Sequence, residues 1–252
     1  PITNSNQSGL TSKIAIYNKL ESNDLLKNYI IPYNKVNKLY DIYNMLEKYK
    51  KIILKPDKGF KVQGVHYIES IDKLKYRVIS KEQDVEIDKF KLTEYLRQLI
   101  KNRTWLVQKY IETRTLEGNA FDIKVHLMKN HKGDWQIVHK YSRIGLNQVT
   151  ITSIAFGGYV SLLNGFLNRN LPTHDINKVI KNIRKVSNII ADTIGDFYSS
   201  DISDIGIDFA IDRNANLKII EVNVSFPGTT LHEYEAAKNI IGYSKFLLET
   251  DF

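Results

Sequence analysis

Cysteine is absent from this 252-residue chain. That excludes disulfides, thiolate nucleophiles and cysteine-ligated zinc. No apolar run approaches the roughly 18–20 residues needed to span a bilayer, and no secretory leader is visible, so a soluble cytoplasmic protein without membrane partners is expected. No internal repeat or long linker appears. The six histidines, His66, His126, His131, His139, His174 and His232, show no spacing of the H-E-x-x-H kind. His126 alternates with Lys124 on one strand face and reads as structural, and His232 is not expected to touch substrate. The chain opens on Pro1 rather than Met, which implies a removed initiator or a fragment.

What is present is ordinary for a globular protein, with 42% hydrophobic and 25% charged residues. Net charge is +8, with lysines scattered apart from short clusters such as Lys48-Tyr49-Lys50-Lys51. Such a charge suits an anionic small substrate or nucleic acid, but no nucleic-acid module is recognised. Residues 13–30 and Val36–Tyr49 carry apolar residues at helical spacing. "KIILKP" and "GVHYIE" read as a hairpin around the loop Asp57–Gln63. Strand 74–80, helix Asp88–Lys101 and strand "TWLVQKYI" follow, then strands "FDIKVHLMKN" and "WQIVHKYSRIG", a long helix over 175–199, and two short helical pieces near 232–240 and 244–249. The pattern is α+β, in two lobes of mixed or antiparallel sheets with flanking helices.

The most informative stretch is "DIGIDFAIDRNANLKIIEVNVSFPG", Asp204–Gly228. Strand alternation puts Ile205, Ile207, Phe209 and Ile211 on one face and Gly206, Asp208, Ala210 and Asp212 on the other. In the second run, Ile220, Val222 and Val224 oppose Ile219, Glu221 and Asn223. With Arg213–Asn216 as the turn, pairing Asp212 with Leu217 sets Asp208 against Glu221, Gly206 against Asn223 and Ile207 against Val222. Like charges directly opposite are destabilising unless a proton or cation sits between. Two carboxylates and an amide oxygen are hard ligands suited to Mg²⁺ or Mn²⁺.

An acid, a Glu-x-Asn 13 residues on and then Pro-Gly, here Asp208, Glu221, Asn223 and Pro227-Gly228, resembles the metal signature of the ATP-grasp superfamily. The resemblance is nearest to its YheC/YheD branch, associated with the endospore coat, and runs from about Ser12 to Gly228. It implies an ATP-grasp fold with the nucleotide cleft between two lobes. It divides the chain into an N-terminal helical segment (1–32), a small lobe with a phosphate-covering loop (33–107) and a large lobe with the metal site (108–252). On this resemblance the family's usual domain before the first lysine is expected to be missing. The cofactors implied are ATP and Mg²⁺, two ions in most relatives, with Mn²⁺ as an alternative.

Other motifs arrive in family order. "SKIAIYN" and "IILKP" match two phosphate-binding lysines, here Lys13 and Lys55; alone, the first reads as a helix-surface lysine and the second suits a solvated strand end and a functional role equally. "VQKYIE" matches the segment whose backbone bonds adenine, near Lys109, Tyr110 and Ile111, with Gln108 beside it. "FDIK" matches a motif whose acid, Asp122, holds ribose hydroxyls and whose basic residue, Lys124, is arginine in most relatives. "YSRIG" supplies Arg143 to the phosphates, and "TSIAFGG" resembles a family loop, here Thr152-Ser153 and Gly157-Gly158; these glycines equally suit a plain turn.

The sequence departs from the family at two places. "GFKVQG" keeps Gly59 and Gly64 but has Phe60 and Val62 where Ser and Gly usually stand, and Gly206 occupies a position that is often Arg. The implied activity is carboxylate–amine ligation through an acyl phosphate, with Lys124 and Arg143 as catalytic cations. The acid and the amine are unidentified, and either can be peptide- or protein-bound. The alternatives are a phosphotransferase and a catalytically weak, partner-binding ATP-grasp protein. A partner protein or second subunit is expected to complete the acceptor site.

Overall fold

A computed structural model describes residues 12–59, 64–145, 158–198, 202–224 and 233–250. The chain divides into two compact units. The first holds residues 1–11, 15–30 and 113–252, the second residues 12–14 and 31–112.

The second unit is a six-stranded antiparallel sheet in the order β1-β6-β2-β3-β4-β5. Its strands are β1 (Tyr33–Val36), β2 (Lys51–Pro56), β3 (His66–Ser70), β4 (Lys75–Ile79), β5 (Asp84–Asp88) and β6 (Trp105–Lys109), with helices α2 (Leu39–Tyr49) and α3 (Lys89–Ile100). Alternation explains its core. Ile52 and Leu54 of β2, Ile68 of β3, Val78 of β4 and Val107 of β6 are buried with Ile42 and Leu46 of α2 and Leu92 and Leu96 of α3. Each such side chain contributes about 1.5–3 kcal/mol when fully buried. The register Ile53↔Gln108 and Lys55↔Leu106 puts the intervening residues on the opposite face. Asp88 caps α3, its carboxylate accepting from the Lys91 N–H at 2.9 Å.

The first unit is a five-stranded antiparallel sheet in the order β11-β10-β7-β8-β9. Its strands are β7 (Phe121–Lys129), β8 (Trp135–Ile144), β9 (Tyr159–Leu162), β10 (Asp204–Ile211) and β11 (Leu217–Asn223). Helices α4 (Leu163–Asn170), α5 (Ile176–Phe197) and α6 (Glu233–Thr250) belong with it. The helix α1 (Lys13–Glu21) starts in the second unit and continues in the first. Ile183, Val186, Ile190 and Ile194 recur at helical spacing on α5 and are buried. This helix packs on β7 and β8, where Ile123, Val125 and Leu127 are buried.

Several elements differ from sequence expectation. The helix expected over 13–30 stops at Glu21, where Asn23 folds back to accept from the Leu25 N–H, and a short 3₁₀ turn spans Lys27–Tyr29. Tyr33–Val36 is a strand that precedes α2, and Asp84–Asp88, β9 and α4 have no counterpart in the sequence reading. The two C-terminal pieces are one helix, α6, whose Gly242 accommodates His131: a Cβ there would lie 3.1 Å from the His131 Cβ.

Near the turn of the β10–β11 hairpin the register is Ile211↔Leu217 and Phe209↔Ile219, one residue off the expected Asp212↔Leu217. A bulge at Ile220 then restores the expected pairs Asp208↔Glu221, Ile207↔Val222 and Gly206↔Asn223. Ile219 therefore joins Leu217 and Val222 in the core rather than sharing a face with Glu221. The Tyr17 hydroxyl of α1 donates to the carbonyl of the bulged Ile220.

Candidate functional site

Antiparallel pairing gathers part of the expected set on one face of the first unit's sheet. Asp208 lies between Lys124 on one neighbouring strand and Glu221 on the other, and Asp122 lies opposite Arg143. Asn223, two residues beyond Glu221, shares that face. The expected residues Asp122, Lys124, Arg143, Asp208, Glu221 and Asn223 are therefore neighbours.

Their electrostatics centre on Asp208. The Lys124 ammonium lies 2.9 Å from its Oδ1 and the Arg143 Nη2 lies 3.1 Å from the same oxygen. Asn223 Nδ2 approaches the other oxygen, Oδ2, at 3.5 Å. Arg143 also grips Asp122 with two parallel hydrogen bonds, Nε to Oδ1 at 2.7 Å and Nη2 to Oδ2 at 2.8 Å. Burial opposes ionisation of Asp208, but Arg143 and Lys124 together outweigh it and hold the carboxyl below the usual range. Burial likewise opposes the charge of Arg143, and Asp208 and Asp122 overcome it.

The donor set fits a hard divalent cation. Two carboxylates face each other across the β10–β11 ladder with an amide beside them, and both Glu221 and Asn223 are only half-buried. Among the described residues no cluster of three or more His, Cys, Asp or Glu side chains forms a metal cage, so a bound ion would complete its shell with the Asn223 oxygen, water or phosphate oxygens.

The remaining expected residues lie on the second unit. Lys55 and Gln108 are buried, 3% and 2% exposed, on the sheet face opposite the helices. Tyr67 shares that face, and its ring meets Tyr110 edge-on at 5.0 Å. The backbone N–H groups of Lys109 and Tyr110 donate to the carbonyls of Pro32 and Lys51, so a nucleobase would meet the N–H of Ile111 or carbonyl groups of this segment. Lys13 is held at the start of α1, its ammonium donating to the Gly59 carbonyl at 2.9 Å. Phe60, Val62, Thr152, Ser153, Gly157, Pro227, Gly228 and His232 lie outside the described residues.

Two groups of residues near these positions escaped the sequence reading. Asp57 and Ser12 form hydrogen bonds around Lys13, and no local pattern announces a contact between residues 45 positions apart. Fully buried His126 joins Asp204 through Nε2 and His139 through Nδ1, the latter at 3.1 Å, one step along the face from Lys124. Its alternation with Lys124 was visible; the partners on β8 and β10 became visible only with the register.

Comparison with known proteins gives a consistent answer. A family model described as YheC/D-like ATP-grasp matches residues 2–247. The chain is 26% identical to the endospore coat-associated protein YheD of Bacillus subtilis (strain 168), covering 78% of this chain and 44% of that protein. It is 24% identical to YheC of the same organism, covering 87% of this chain and 61% of that protein. The chain thus spans less than two thirds of either relative. Among solved structures, a D-cycloserine synthetase, DcsG, superposes with a TM-score of 0.59 at 11% identity, over 96% of this chain and 70% of that one. A Bacillus anthracis D-alanine–D-alanine ligase complexed with ATP gives 0.53 at 15% identity, over 94% and 62%. At such identities the structures speak for the fold alone.

Proposed function

Because the chain belongs to the YheC/D-like ATP-grasp family, we propose that it is an ATP- and Mg²⁺-dependent ligase that joins a carboxylate to an amine. One observation carries the reading. Lys124 and Arg143 converge on Asp208, beside Glu221 and Asn223, on a single sheet face. Cations and hard oxygen ligands side by side are what a triphosphate with its metal requires. Proteins of the same fold include D-alanine–D-alanine ligases, and the proposed reaction is of that class.

In this reading Asp122 holds the ribose, the Lys109–Ile111 backbone reads adenine beside Gln108, and Lys13, Lys55, Lys124 and Arg143 bind phosphate oxygens. Asp208, Glu221 and Asn223 would hold Mg²⁺, which shields phosphate charge when bound. A carboxylate oxygen of the substrate attacks the γ-phosphorus, the bond to the bridging oxygen breaks and ADP leaves. The amine nitrogen then attacks the acyl carbon of the acyl phosphate. The bond to phosphate breaks, inorganic phosphate leaves and the amine proton passes to solvent. Lys124 and Arg143 stabilise negative charge that builds on the transferring group, and the protein otherwise positions the reactants.

The test is ADP release with Mg²⁺ over a panel of acids and amines, for wild type and Glu221→Gln. The expected result is ADP and free phosphate only when both an acid and an amine are present, with turnover abolished in the variant. Unchanged release in Glu221→Gln overturns the metal assignment. A γ-phosphate retained on the acceptor makes the protein a phosphotransferase, and ATP binding without turnover makes it a partner-binding member of the family.

A further inference from the structure

Lys13 begins a helix that is capped from a distant segment. The first N–H groups of a helix lack intrahelical partners, and a side-chain oxygen just before the helix usually accepts from one of them. Ser12 stands in that place, and its hydroxyl donates to the Asp57 Oδ1, at 2.9 Å. The same carboxylate oxygen accepts from the Ile14 N–H at 2.9 Å, so the cap comes from 43 residues along the chain. The Lys13 N–H donates to the Asp57 carbonyl at 3.1 Å, and the Asp57 N–H donates to the Thr104 carbonyl at 2.9 Å, just before β6. Two residues beyond Asp57, the Gly59 carbonyl receives the Lys13 ammonium. Lys13 is therefore tied at its backbone and at its head to the segment that follows the Lys55-Pro56 strand end.

Asp57 is 7% exposed, accepts from the Lys13 N–H and follows Lys55 by two residues, both lysines being assigned to phosphate. A carboxylate there repels a triphosphate, so its value to nucleotide binding is indirect. We infer that Asp57 is a positioning residue that fixes Lys13 for ATP by capping α1 from the phosphate-loop segment. The inference rests on the ATP-binding reading above and extends it to a residue and a hydrogen-bond role. What matters is the acceptor oxygen at position 57. Asn retains that oxygen; Ala does not.

The experiment is calorimetric ATP binding with Mg²⁺ for wild type, Asp57→Ala, Asp57→Asn, Ser12→Ala, Lys13→Ala and the double variant Asp57→Ala/Lys13→Ala, with thermal melting of each. Asp57→Ala is expected to weaken ATP binding roughly tenfold, the size that loss of one helix cap gives. Asp57→Asn is expected to stay close to wild type, and Ser12→Ala to fall between. The deciding readout is the double variant. Positioning through Lys13 predicts that it binds ATP no more weakly than Lys13→Ala alone. A purely structural role predicts additive losses, and that result overturns the inference. So does wild-type affinity in a folded Asp57→Ala protein. If Asp57→Ala does not fold, the milder Ser12→Ala, tested against Lys13→Ala in the same cycle, decides. Failure of wild type to bind ATP removes the underlying reading instead and is told apart by that control.

Discussion

Lys124 and Asp208 face each other on neighbouring antiparallel strands, ammonium to carboxylate at 2.9 Å, both nearly sealed from solvent. A buried charge left without its partner is strongly destabilising. Lys124→Met is expected to lower unfolding free energy by about 3 kcal/mol, at the low end for such pairs because Arg143 still compensates Asp208. Urea denaturation measures it. A loss below about 0.5 kcal/mol, the level of an exposed pair, would show that Arg143 alone neutralises Asp208.

Arg143 grips Asp122 with two hydrogen bonds and touches Asp208 with the same guanidinium. A lysine supplies a point charge but cannot span both carboxylates in that fork geometry. Arg143→Lys is expected to retain the fold, lose about 1–3 kcal/mol, and weaken ATP binding. Retention of full ATP affinity would assign the arginine a structural role only.

His66 opens strand β3 and is buried, its Nδ1 2.6 Å from the Tyr95 hydroxyl of helix α3, with the Trp105 ring 5.7 Å away. Burial pushes its imidazole below the ordinary 6.5, while the Glu82 carboxylate pulls the other way. As pH falls the unfolded chain takes up the proton first, so the stabilising contribution is full above about 6.5 and is lost as pH falls through the lower folded value. Melting temperature should drop between pH 7 and pH 5, and His66→Asn should shrink that drop. An unchanged drop in the variant would mean that other groups set the acid limit.

Gly133 turns the β7–β8 hairpin at φ +80°, and a Cβ there would lie 2.9 Å from the Phe246 ring of α6. Backbone strain and steric overlap act together, so Gly133→Ala should cost about 2 kcal/mol or more. Phe246→Leu in the same chain should restore part of it. Melting curves of the single and double variants separate the two contributions. No rescue would leave the dihedral alone responsible.

The sequence made the candidate site more legible than the lobe edges. Alternation from an Asp212↔Leu217 turn sets Asp208, Glu221 and Asn223 on one face, and although that turn pairing is one residue off, the bulge at Ile220 restores the same pairs at the site. The edge strands Tyr33–Val36 and Asp84–Asp88 carry mostly exposed residues; the first has no alternation, and the second alternates only through Val85 and Ile87, too short a run to stand out. The end of α1 was misplaced because Leu25 and Leu26 continue a helical spacing although Ser22 and Asn23 already make a turn. The pieces expected near 232–240 and 244–249 are one helix that runs through Gly242 beside His131. The cap from Asp57 depends on a distant segment, and no pattern of neighbouring residues encodes it.

The extra residue in β11 settles a conflict of odd and even. Leu217 and Ile219 are odd-numbered and buried in the core, whereas Glu221 and Asn223, also odd-numbered, belong to the polar face. In an uninterrupted strand all of them would point the same way. Continued without the bulge, the turn-side register would set Glu221 against Ile207 and bury it, while Val222 would fall opposite Gly206 among the charges. The hairpin is therefore divided at Ile220 into two separately phased halves. Residues added to the Arg213–Asn216 turn can be looped out at the tip, but deletion of one residue between Lys218 and Ile220 would turn the carboxylate face inside out.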